Sequence, residues 1–340
     1  MMKWYEDPES QEAVLVSGRV RLERNIAGLP FPSRLSADQA EELVKESEHR
    51  LLPLLKTQDA GYTFSRLDKM TQGLRGSYRE KKILNESLTR ITRPSALIIN
   101  ESETGSIILN GEDHFRLQSF GRGQDLAKIY DRVNELDDLV NKEYDYAFDD
   151  KYGYLTSFPT NTGTGMRAGV LLHLYTISSN PPFRRMVMEM ARFGITVRGI
   201  YSEENMGSLY EVCNHKTLGQ SEKEIIDLVN RVSMQLSGQE KRVRESILKT
   251  KRLEKTDEVY KSYGILRYAK RLSLKEAMMY LSTLRFGVCE GVVHLKTPVN
   301  LFGLMMGVQP MNLQQYGGDT QDWPAVRAAY IQARLPELTD

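Results

Sequence analysis

The sequence predicts an α+β fold: an antiparallel β-sheet flanked by helices, followed by a smaller helical domain. Two observations carry this. Between residues 97 and 119, short apolar or alternating runs follow one another across turn-length gaps, as hairpin-linked strands do. Beyond about Ser237 the strand signals stop and helical patterning dominates through Leu284. The 340 residues suffice for one large domain or two modest ones, and this change of character divides the chain into 1–237 and 238–340.

Residues 13–16 form a short apolar run that reads as extended, with arginines following it. Ser36 with Gln39 three residues on is a capping box, and the amphipathic stretch behind it predicts a helix that ends before Pro53. Residues 97–100 and 106–110 predict a hairpin, and 115–119 alternates as the next strand. Residues 125–144 carry helical periodicity. The stretch 153–169 holds too much glycine for a helix or a central strand, and apolar character returns over 166–174. A helix over 183–192, a strand over 195–201, a polar loop over 202–208 and a strand over 209–214 follow. Ser221 with Glu222 and Glu224 opens a long helix, its acidic residues at the positive end of the dipole.

Charged residues make up 27% of the chain, yet the net charge is +1, which argues against bulk attraction to nucleic acid or anionic membrane. Cys213 and Cys289 offer neither a disulfide framework nor metal-ligand spacing, and a reducing cytoplasm fits them. The first eight residues lack a signal-peptide core, and no apolar run reaches the roughly 18 residues of a membrane span.

Four segments could carry chemistry. Ser17-Gly-Arg-Val-Arg21 puts two arginines at i and i+2, on one side of an extended segment about 6–7 Å apart, where they could grip adjacent phosphates or form a solvated basic edge. Asn110-Gly-Glu-Asp-His114 with Arg116 could bind a metal, supply a base or make a turn. Pro159-Thr-Asn-Thr-Gly-Thr-Gly-Met-Arg167 has the composition of a phosphate-binding loop without the lysine of a P-loop. Arg198-Gly-Ile-Tyr-Ser-Glu203 sets an arginine on a strand and a carboxylate after it. His173, inside an apolar run, reads on its own as structural.

In order, these segments resemble the guanidino (phosphagen) kinases, whose catalytic fold is glutamine synthetase-like. They match the family patterns Ser-Ser-Arg-x-Arg, Asn-Glu-Glu-Asp-His-x-Arg, Pro-Ser/Thr-Asn-x-Gly-Thr-Gly-x-Arg and Arg-Gly-x-x-Gly-Glu. The resemblance implies that Ser17, Arg19, Arg21, Arg116, Arg167, His173 and Arg198 bind ATP, and that Glu112 and Glu203 hold the guanidinium and accept its proton. It also implies Mg²⁺ with the nucleotide. The stretches at 19–25, 146–150 and 153–157 are most similar to the bacterial branch that phosphorylates arginine in proteins (McsB). So is the start of the arginine motif at Ser17, which leaves no room for the preceding helical domain of creatine and arginine kinases.

That branch implies protein substrates with exposed arginines, a McsA-like zinc-containing activator and a Clp chaperone-protease as partners, and cytoplasmic residence. A homodimer is compatible with it. A kinase for a free guanidino compound and a weakly active regulatory scaffold are the alternatives. Five departures stand out: Phe158 replaces the family's reactive cysteine and is expected to narrow or dry the pocket; Gly18 and Gly111 replace a serine and a glutamate; Ser202 replaces a glycine; and Ser87 falls where a histidine is expected. In the segment Trp323-Pro-Ala-Val-Arg327-Ala328, the Arg-Asp pair of the branch's phosphoarginine-binding motif is missing, so activation by phosphoarginine is not expected.

Overall fold

The computed structural model describes residues 2–8, 12–123, 125–201, 205–317 and 322–339. Its strands are β1 (Leu15–Arg24), β2 (Thr63–Arg66), β3 (Ala96–Ile99), β4 (Gly105–Leu109), β5 (Phe115–Gly121), β6 (Phe148–Asp149), β7 (Gly153–Tyr154), β8 (Met166–His173), β9 (Ile195–Gly199) and β10 (Leu209–Asn214). All but β6 and β7 join one antiparallel sheet in the order β2-β3-β4-β5-β1-β8-β10-β9, while β6 and β7 pair with each other. The hairpins expected around residues 97–119 are β3, β4 and β5. The motif strand β1 lies between β5 and β8, segments about a hundred or more residues away in the chain.

One sheet face is apolar. Val20, Leu22, Leu117, Ala168 and Val170 pack there against Leu43 of helix α1 (Ala37–Gln58), Ile129 of the helix over residues 126–143 and Val229 of the long helix over residues 222–250. Ser36 and Gln39 form the expected reciprocal cap. The helix does not end before Pro53, however; it runs on to Gln58. Leu51 and Leu55 are both buried on its inner face, and their packing outweighs the backbone bond that the proline forgoes.

The opposite face is divided. Over the β2–β5 half, helices α2 (Gln72–Glu80) and α3 (Glu86–Thr89) cap a small core of Leu67, Ile83, Leu84, Leu88, Leu97 and Ile108. Over the other half, Leu171 and Leu209 join a core shared with the C-terminal helices. Helix α4 is Leu126–Glu143, α5 Pro181–Arg192, α6 Glu222–Thr250, α7 Arg252–Tyr268, α8 Leu274–Cys289, α9 Leu301–Gly307, α10 Pro310–Gly317 and α11 Trp323–Gln332. Between the two apolar patches runs a polar seam.

The boundary expected at Ser237 lies inside α6, which continues unbroken to Thr250; the chain breaks direction at Lys251. Leu236 faces the sheet's apolar core while Arg244, two turns on, is fully buried toward the C-terminal helices, so α6 serves both parts. Gly169, expected outside any central strand, sits in the middle of β8. A Cβ there would meet Cys213 at 3.2 Å and the Val212 carbonyl at 3.4 Å, so glycine permits the close approach of β10. Among the described residues no helix is long and apolar enough to cross a membrane.

Candidate active site

The seam collects the motif arginines because strand side chains alternate and the register aligns them. Arg19 and Arg21 project from β1 on one side; Arg21 lies directly opposite Arg167 of β8, and Glu23 opposite Arg116 of β5. Arg198 of β9 lies opposite Glu211 of β10. Like charges facing each other across a strand pair are destabilising unless an anion sits between them. Burial and the Arg116 guanidinium draw Arg21 down to about 10, against the pull of Glu23, and its Nε has no hydrogen-bond partner. Arg21 is half-buried, its ion pair with Glu23 is long at 3.6 Å, and a guanidinium so weakly paired among four others suits a polyanion. Ser17, buried on the same strand, lines a narrow cavity with Arg19, Lys82, Leu171, Tyr201 and Glu211.

Glu112 stands at the tip of the β4–β5 turn. Asn110 holds that turn in a left-handed conformation (φ 53°), with its amide donating to the Ala40 and Pro94 carbonyls. Asp113 accepts from Asn25 at 2.6 Å and from the Ser157 amide at 2.7 Å, tying the turn to the glycine-rich loop. One Glu112 oxygen accepts from Arg116 at 2.7 Å; the other accepts from Asn85 at 2.6 Å and from Ser87. Burial alone would raise this carboxyl, but Arg116, Ser87 and Asn85 outweigh it and hold Glu112 below the usual carboxylate range. Glu112 is therefore a fixed anion at neutral pH. His114 belongs to the scaffold: its Nδ1 accepts from Ile26 N, its Nε2 donates to Pro30 O, and burial lowers it to about 4.

The glycine-rich loop acts mainly by aiming Arg167. The Thr160 carbonyl (3.2 Å), Asn161 Oδ1 (3.2 Å) and the Asn214 carbonyl (2.6 Å) all accept from that guanidinium. The Thr160 and Thr162 carbonyls in turn accept from the Thr217 hydroxyl. Gly165 adopts φ +65°, and a Cβ there would strike the Glu23 carbonyl at 2.6 Å.

Three charged residues of the seam escape the motif reading. Glu23 is fully buried, accepts from Arg116 at 2.8 Å and is pushed up by that burial. Glu211 bridges Arg19 and Arg198, at 2.8 Å to each. Burial opposes its charge, yet the two arginines hold it down at about 2. Lys82 faces the same cleft, a space of about 800 Å³ that Arg19, Arg21, Arg79 and Arg198 also line. Glu23 shares the i, i+2 phase of Arg19 and Arg21 and could have been read with them. Glu211 and Lys82 have no such signal, since only the pairing of distant segments brings them here.

One expected site residue, His173, lies apart from this cluster, and another falls outside the described residues. His173, matched to a nucleotide-site histidine, is fully buried at the far end of β8, where its Nε2 donates to the Ser282 hydroxyl (2.8 Å) and its Nδ1 accepts from Arg244 (3.2 Å). Burial and the cations Arg285 and Arg244 keep it neutral, so it joins the sheet to α8 and the apolar run around it decides its role. Glu203 lies outside the described residues, as does Ser202.

Phe158 is 51% exposed, a rim position rather than a buried plug. Cys213 shares the arginine face, but burial pushes its thiol up, so it does not supply the thiolate missing at position 158. Arg327 is buried in α11 and donates to the Val308 and Leu272 carbonyls.

Comparison with known proteins agrees with this geometry. Residues 42–243 match the family model "ATP:guanido phosphotransferase, C-terminal catalytic domain", and residues 252–340 match "Protein-arginine kinase McsB C-terminal domain". The first match ends within α6, and the second begins at the first residue of α7. A protein-arginine kinase of Clostridium acetobutylicum is 35% identical over 319 residues, covering 93% of each chain. One of Halalkalibacterium halodurans is 35% identical over 344 residues, covering 98% of this chain and 94% of its own. Among solved structures, the substrate-free duplicated taurocyamine kinase of Schistosoma mansoni has a TM-score of 0.57 at 25% identity, covering 71% of this chain and 35% of that one. A lombricine kinase has a TM-score of 0.59 at 22% identity, covering 72% of each chain, a likeness of fold.

Proposed function

The chain belongs to the ATP:guanido phosphotransferase family, and from that premise we propose that it transfers the terminal phosphoryl group of ATP to arginine side chains of proteins. The observation that carries the site is the opposed pair Arg21 and Arg167, flanked by Arg19, Arg116 and Arg198 on one sheet face and bordered by the ionised Glu112. The named activity of the relatives and the match of residues 252–340 support protein over free arginine.

In this reading the five arginines bind the triphosphate and stabilise the charge that spreads over the transferred group's equatorial oxygens. Glu112 holds the acceptor guanidinium in line by charge-assisted hydrogen bonds. Glu203 takes the proton as the N–P bond forms and the bond to the ADP oxygen breaks. Mg²⁺ accompanying the nucleotide would be held with the phosphates beside the arginine cluster. Bound there, the ion supplies neutralisation of phosphate charge. The same reading places the protein in the cytoplasm with a McsA-like zinc-containing activator and a Clp chaperone-protease as partners, open to pull-down with each.

The test is incubation with Mg-ATP and either a model protein or free arginine, followed by mass spectrometry for acid-labile phosphoarginine. Label on protein is expected. Label on free arginine alone assigns a small-molecule kinase, and label on neither refutes kinase activity.

A further inference from the structure

Lys82 is oddly placed. It follows the last turn of α2 in a left-handed conformation (φ 64°). Its amide donates to the Arg79 carbonyl and that of Ile83 to the Tyr78 carbonyl, the hydrogen-bond pattern of a helix end where glycine is the usual residue. Keeping a lysine in a strained backbone at a cleft invites the question of what its side chain does. Its ammonium donates to the Ile200 carbonyl at 2.7 Å and stands 5.4 Å from the centre of the Tyr201 ring. Its own carbonyl accepts from Arg19 at 2.8 Å. One residue thus touches a phosphate-site arginine with its backbone and the chain just past β9 with its side chain. Ile200 and Tyr201 come directly before Ser202-Glu203 in the sequence.

We propose that Lys82 is a positioning residue that couples Arg19 to the segment at Ile200–Tyr201, so that nucleotide on the arginines sets the place of the chain leading to the substrate carboxylate. This rests on the reading given under Proposed function. The groups facing the ammonium are Arg19 and Glu211 from β1 and β10, Arg198 from β9, Arg79 and Glu80 from α2, and Tyr201. Burial lowers the ammonium to about 8; Glu211 resists this, and Arg19, Arg198 and Arg79 add to it. Above that pH the neutral amine is a weaker donor to Ile200, and the cleft is one positive charge short.

The test uses the full chain with Lys82→Gly, which relaxes the backbone and removes the ammonium, and Lys82→Arg, which keeps a charged donor. For Lys82→Gly we expect a melting temperature equal to or above that of the parent, nucleotide Kd within about 3-fold, and kcat lowered about 10- to 100-fold. The parent's kcat should fall as pH rises through about 8. That limb should move up by more than one unit in Lys82→Arg and vanish in Lys82→Gly.

Hydrogen exchange gives a readout that does not need turnover. Nucleotide should protect amides 199–201 in the parent and not in Lys82→Gly. Equal protection in both, or an unchanged kcat, overturns the coupling; so does a loss of nucleotide affinity as large as the loss of kcat. Protection lost in Lys82→Gly while the parent forms no phosphoarginine upholds the coupling and removes the kinase reading instead.

Discussion

Replacing Glu112 by glutamine changes one oxygen for an amide and leaves the shape of the turn intact, so its effect reports on charge. A carboxylate about 4 Å from a guanidinium contributes roughly 4 kcal/mol at an effective dielectric of about 20. The glutamine carbonyl still accepts a hydrogen bond, about half as strong as the charge-assisted one. The loss expected is therefore about 2–3 kcal/mol of transition-state stabilisation, or roughly 30- to 150-fold in kcat/KM. The scaffold should notice far less. Arg116 keeps Glu23 at 2.8 Å, and the glutamine carbonyl can still accept from Asn85 and Ser87, at the loss of the bond from Arg116, which the amide NH2 would face. Stability should drop by about 1 kcal/mol, with nucleotide affinity nearly unchanged. Initial rates of phosphoarginine formation over a range of acceptor concentrations, with a nucleotide titration and a thermal melt, separate these effects. A kcat/KM within about 3-fold of the parent refutes the role of Glu112, and a collapse in stability refutes the view that Glu23 suffices to hold Arg116.

Three further outcomes follow from the same charges. Arg21→Met should weaken nucleotide binding about 100-fold while leaving the melting temperature equal or higher, because it relieves the opposed pair with Arg167; titration and melting of one preparation check both. His114, held at about 4 against an ordinary value near 6.5, takes up its proton in the unfolded chain first, so stability is complete above pH 6.5 and falls by about 3 kcal/mol as pH drops to 4; urea titrations across that window should show the slope, and His114→Gln should flatten it. Free phosphoarginine should not raise activity at any concentration, since Arg327 Nε and Nη1 already serve the Val308 and Leu272 carbonyls and no second cation of the motif stands at Trp323; a saturable activation curve contradicts this.

What could be read in advance follows from how local each signal is. The i, i+2 spacing of Arg19 and Arg21 and the cap at Ser36 act over a few residues, and both appear in the fold as expected. The helix past Pro53 was hidden because the deciding contacts, Leu51 and Leu55 against the sheet, are tertiary. Gly169 looked like a loop residue because its reason is a neighbour more than forty positions away, Cys213. Glu211 sits in a run indistinguishable from any half-buried strand, and its function as a bridge between Arg19 and Arg198 exists only once β1, β8, β10 and β9 lie side by side. His173 is the reverse case: the resemblance points to the nucleotide, whereas Ser282 and Arg244, far along the chain, are what surround it in the fold.

The seam between two oily patches has a practical outcome for anyone dissecting this chain. Expressing it only as far as Thr250 would strip Leu171, Leu209 and Val16 of their cover and leave Arg244 without Glu290. Such a fragment would present a greasy shelf beside a cluster of positive charge, and it should come out of the cell as aggregate. The stretches matched by two separate family descriptions thus share one apolar core, and the C-terminal helices cover the sheet on this face as α1, α4 and α6 do on the other.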